Sequence, residues 1–75
     1  LSETIEAGLP ESVVAAPLGE IAAANPDALI GSYPYFDGSR YATRLVVRAR
    51  DPERLAAVTA SVTAMVAALR AGTAG

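Results

Sequence analysis

Between two runs rich in β-branched and aromatic residues, 28–36 and 39–50, stands the dipeptide Asp37-Gly38. Asp-Gly in that setting is among the strongest short-range hairpin signals, because a two-residue type I′ loop needs positive φ at both central positions. It predicts two antiparallel strands joined at that pair, and every other element has to be arranged around them. Upstream, residues 1–7 alternate weakly, with Leu1, Ile5 and Ala7 on one parity and Ser2, Thr4 and Glu6 on the other. This predicts a short strand, broken by Gly8-Leu9-Pro10.

Two helices fill the remaining stretches. The first is expected to start at Glu11 or Ser12, either of which suits an N-cap, with Val14, Leu18 and Ile21 on one face. Pro17 should kink it or split off a first turn, since proline removes a helical hydrogen bond and clashes with the preceding turn. Asn25-Pro26-Asp27 ends it. Asp51-Pro52-Glu53 then opens the last helix with an acceptor, a proline at the first position and an acid near the positive dipole end. Leu55, Val58, Val62, Met65 and Leu69 form its apolar stripe. Gly72 suits the position just past the helix, with a tail over 72–75.

The order is β-α-β-β-α in one domain over residues 1–71. A right-handed crossover followed by a tight hairpin places the third strand in the middle. The expected fold is an α/β two-layer sandwich of the α+β kind: a three-stranded antiparallel sheet with two helices on one face. With Asp37-Gly38 as the loop, Tyr35 pairs with Arg40, Tyr33 with Ala42 and Gly31 with Arg44, and opposed residues share a face. One face collects Ile30, Ser32, Pro34, Tyr41, Thr43, Leu45 and Val47, the better core candidate. The other collects Tyr33, Tyr35, Arg40, Arg44, Val46 and Arg48, with Thr4 and Glu6 beside them. Tyrosines interleaved with arginines on an open sheet are the one constellation that suggests binding. The favoured alternative is a solvated face, or one packed on a neighbouring domain, with Glu6 pairing an arginine.

Composition excludes more than it suggests. The chain has no His, Cys or Lys, which removes the usual neutral-pH base, thiolate nucleophiles, zinc–sulfur sites and disulfides. Its carboxylates sit mostly at caps, turns and strand ends, and no spacing marks a metal site, Asp37 included. The expectation is no catalytic residue, no cofactor and no metal. A net charge of −2 argues against phosphate-driven nucleic-acid affinity. Gly72-Thr73-Ala74-Gly75 matches the letters of a KH-domain GXXG loop, but it lies in the terminal tail without basic neighbours. Residues 55–69 carry no charge, yet fifteen residues fall short of the ~20 that a bilayer requires, so no membrane span is expected. No signal peptide is evident, and the chain opens on Leu1, which suggests a piece of a longer, cytoplasmic protein.

Three stretches carry a resemblance: Leu9-Pro10-Glu11-Ser12 before the first helix, Ile30-Gly31-Ser32-Tyr33-Pro34-Tyr35-Phe36 entering the hairpin, and Arg44-Leu45-Val46-Val47-Arg48 followed by Asp51-Pro52. Together they resemble the small C-terminal domain of the bacterial competence/damage-inducible protein A family, which follows a molybdopterin-binding-like domain. They are also similar to the corresponding region of some FAD synthases. The resemblance implies a KH-like α/β module that supports the larger domain, where nucleotide or pterin binding and any pyrophosphatase activity reside.

The leading expectation is a non-catalytic structural or interaction module of a nucleotide- or pterin-handling protein. Its partners would be the adjacent molybdopterin-binding-like domain, and a second copy meeting the largely uncharged outer side of the last helix. The alternatives are a single-stranded nucleic-acid-binding module using the Tyr/Arg face, and an accessory domain completing a nucleotide pyrophosphatase site of the larger domain.

Overall fold

The computed structural model describes residues 1–73. Five elements follow one another: β1 (Ser2–Glu6), α1 (Glu11–Ala24), β2 (Leu29–Phe36), β3 (Tyr41–Arg48) and α2 (Pro52–Thr73). The strands form an antiparallel sheet in the order β1-β3-β2, so the third strand is central as expected. Both helices lie against the same face, where Val14 and Leu18 of α1 and Leu55, Val58, Val62 and Val66 of α2 join Leu45 and Val47 of β3 in one buried cluster. Val66, absent from the expected stripe, is buried, while Met65 and Leu69 are only partly covered.

The hairpin register differs from the expected one by two residues. Tyr33 opposes Arg44, Tyr35 opposes Ala42 and Phe36 opposes Tyr41. Gly38 carries a φ of +99°, and among the described residues no non-glycine has a positive φ, so Asp37 does not take the conformation a type I′ loop demands of it. The loop is instead Gly38-Ser39, with glycine first as in a type II′ arrangement. Asp37 closes it: its N–H donates to the Arg40 carbonyl at 3.0 Å, and its carboxylate accepts from the Ser39 and Arg40 N–H groups, each at 2.9 Å. A two-residue slip preserves side-chain parity, so the assignment of the two faces survives while the pairing changes.

The helices do not cover the whole of their face. Chain leaves β1 at the level of Thr43, whose carbonyl accepts from the Ala7 N–H and whose hydroxyl donates to the Leu9 carbonyl at 2.8 Å. α1 begins beside Ser32, whose hydroxyl donates to Glu11 Oε2 at 2.7 Å. Beyond those two positions the hairpin runs on as a two-stranded overhang. Pro34 and Tyr41, expected in the core, are therefore exposed, and Phe36 meets Tyr41 edge-on with ring centres 5.2 Å apart.

Two helix-end expectations are corrected, and of the two effects expected of Pro17 the separate first turn does not occur. α1 starts after Pro10 in an extended conformation, with no side-chain cap from Glu11 or Ser12, and the Pro10 carbonyl accepts from the Val13 N–H. It runs continuously through Pro17 without a separate first turn. α2 does not stop at Gly72 but reaches Thr73, so the expected tail begins inside the helix; Ala74 and Gly75 lie outside the described residues. Over Pro52–Gly72 this helix is long and apolar enough to cross a bilayer by length and composition alone. Its Leu55, Val58, Val62 and Val66 side is spent on the sheet.

Candidate interaction face

The face away from the helices carries four of the five residues singled out in the sequence. Strand alternation places Tyr33 and Tyr35 of β2, Arg44 and Arg48 of β3 and Glu6 of β1 on it. The fifth, Arg40, lies in the hairpin turn just outside β3, because the slipped register moves the last ladder pair to Phe36 and Tyr41.

Across the middle of this face three strands are linked by side chains. Arg44 Nε meets Glu6 Oε1 at 2.5 Å, and the Tyr35 hydroxyl donates to Glu6 Oε2 at 2.8 Å. The Arg44 guanidinium carbon lies 4.9 Å from the centre of the Tyr35 ring. Glu6 is thereby held below the ordinary glutamate range, by its hydrogen bonds from Arg44 first and from Tyr35 second. The same bond to Glu6 pushes the Tyr35 phenol up, and burial adds to it. These groups satisfy one another. The pairing of Glu6 with an arginine is the arrangement expected for a structural face.

Tyr33 behaves differently. Its ring lies across Gly31, so close that a Cβ added there would sit 3.0 Å from the phenol oxygen. The missing side chain is what lets the ring lie flat, half exposed, toward the Arg48 end of the sheet. A groove of about 210 Å³ runs there, lined by Leu29, Gly31, Tyr33, Val46 and Arg48.

That groove shares Leu29 and Arg48 with a larger cleft of about 490 Å³ at the foot of the sheet, which reasoning from the sequence missed. Its walls come from Leu1, from Pro26 and Asp27 before β2, from Ala49, Arg50 and Asp51 after β3, and from Arg54 in the first turn of α2. Arg54 is anchored: its Nε meets Asp27 Oδ2 at 2.8 Å and its Nη2 meets Asn25 Oδ1 at 2.6 Å. Asp27 is held below the usual carboxylate range by that guanidinium. The signal that was available is the Arg48-Ala49-Arg50 triplet ahead of a helix start, with Arg54 one turn on.

Among the described residues no group of three or more His, Cys, Asp or Glu comes together in a way that would hold a metal ion. Asp37, weighed as a magnesium ligand, has its carboxylate engaged by Ser39 and Arg40, whose backbone N–H groups hold it below the usual carboxylate range.

Residues 1–71 match the family described as FAD synthase, middle domain. No curated protein and no solved structure matches the chain.

Proposed function

Because this chain belongs to the FAD synthase middle-domain family, we infer that it serves as an accessory domain of a nucleotide-handling protein and catalyses nothing by itself. The observation that carries this reading is the family match over residues 1–71, which takes in nearly the whole of the fold just described. The chemistry of the open face agrees with it. Glu6, Tyr35 and Arg44, the groups best placed to act, are spent on one another.

The partner proposed is a molybdopterin-binding-like domain of the same cytoplasmic protein, as in the competence/damage-inducible protein A type of architecture. The surface offered to it is the hairpin overhang. Phe36 and Tyr41 are 58% and 66% exposed there, a large apolar area for a domain this small to leave in water. A second copy meeting the outer side of α2 is the other contact proposed, since Ala57, Ala60, Ala64, Ala67 and Ala68 are all exposed.

The test is an assay of the purified 75-residue chain with FAD and with ADP-ribose, with divalent metal added. No turnover is expected. Hydrolysis that disappears on a point substitution within the chain would overturn the accessory reading.

A further inference from the structure

We propose that the cleft at the foot of the sheet binds a mononucleotide-sized phosphate ester, with the phosphates between Arg48 and Arg50 and the base on the shelf formed by Leu29 and Tyr33. This goes beyond the accessory role, since it gives the domain a ligand that it holds without cleaving.

The charges decide the sign of the ligand. Five ionisable side chains line the cleft, three arginines and two aspartates. Arg54 and Asp27 neutralise each other through two contacts, at 2.8 and 3.2 Å. The Asp51 carboxylate accepts from the Glu53 N–H at 3.3 Å, as an N-cap does. Arg48 and Arg50 remain, both exposed, and among the described residues neither forms an ion pair. Two unpaired guanidiniums on one concave surface favour an anion, and their planar donor forks match phosphate oxygens.

The size and lining decide the rest of the ligand. At about 490 Å³ the cleft falls in the range of small-molecule sites, far larger than a bare phosphate needs. Leu1, Pro26, Leu29 and Ala49 supply apolar walls, and Leu1 and Leu29 are two of the five exposed large hydrophobic residues among the described residues. The adjoining groove leads past Leu29 and Arg48 to the Tyr33 ring, which Gly31 allows to lie flat. A flat aromatic base gains most from such a shelf. A polynucleotide is disfavoured by the net charge of −2, which repels every phosphate lying outside the cleft.

The experiment is a titration of the chain with ADP at low salt, followed by amide chemical shifts and by calorimetry, with adenosine, inorganic pyrophosphate and thymidine oligomers as comparison ligands. Shifts are expected at Leu29, Gly31, Tyr33 and residues 48–54, with ADP binding more tightly than adenosine or pyrophosphate. Arg48→Ala/Arg50→Ala should weaken ADP about tenfold or more, and the double lysine variant should retain part of the affinity. Arg40→Ala, in the distant turn, should bind as wild type does. The same spectra show whether each variant is folded. The proposal is overturned by an unchanged affinity in the folded double alanine variant, or by no shift up to about 10 mM ADP. Pyrophosphate binding as tightly as ADP, or affinity climbing with oligomer length, would overturn it too, in favour of a bare anion site or a nucleic-acid strand.

Discussion

Gly38, with its φ of +99°, meets nothing within 4 Å of an added Cβ, so a substitution there is penalised by backbone conformation alone. Gly38→Ala should cost about 1–2 kcal/mol in denaturant unfolding. Gly19 gives the contrast, since it is exposed in the interior of α1 and its added Cβ also meets nothing. Gly19→Ala should stabilise by roughly 0.5–1 kcal/mol. At Glu6 the expected effect depends on pH. Its folded-state pKa is depressed by Arg44 and Tyr35, so between the folded and unfolded values the unfolded chain binds more protons and stability rises with pH. The contribution is present above the ordinary glutamate range and is lost as pH falls through the folded value. Melting temperatures of wild type and Glu6→Gln should differ near neutrality and converge in acid. A gap that stays constant into acid would show that the Glu6 charge adds nothing.

At the scale of elements, what was legible followed from periodicity, and what was missed followed from where the layers stop. Element order, the central third strand and the division of β3 into Leu45 and Val47 against Arg44 and Arg48 could all be read from alternation and turn residues. The register could not, because Asp-Gly is a turn signal in either position: as the loop itself, or as Asp closing a loop that Gly begins. Pro34 and Tyr41 were assigned to one face with Thr43 and Leu45, but parity says nothing about how far a helix extends over that face. The cleft was invisible for a related reason. It is assembled from two connecting segments, strand ends and a helix start, none of which has a periodic signature, although its arginines stand close together in sequence. The packing itself has a sharp test in Leu45, which is fully buried in the central strand. Leu45→Ala should cost about 2–5 kcal/mol. That is a large share of the roughly 4–11 kcal/mol expected for 75 residues, so the variant should be substantially unfolded at moderate temperature by circular dichroism. Ala60→Glu on the exposed side of α2 should leave stability within about 0.5 kcal/mol of wild type, and any self-association seen by sedimentation should weaken.

For the molecule as a whole, a thin sheet covered on one face, an aromatic overhang and a long helix with an uncovered alanine side describe a domain that leaves much apolar surface exposed. A domain this small buries only about 60–65% of the surface of its unfolded chain, so further burial against a neighbour stabilises it appreciably. That is the physical content of the accessory reading. Hydroxyl-radical footprinting measures it most directly, because aromatic side chains report their own exposure. The experiment compares the 75-residue chain alone with the same residues inside the longer protein proposed to contain it. Oxidation of Phe36 and Tyr41 should fall several-fold in the longer protein, while buried Leu45 stays unreactive in both. Equal reactivity of Phe36 and Tyr41 in the two proteins would contradict it.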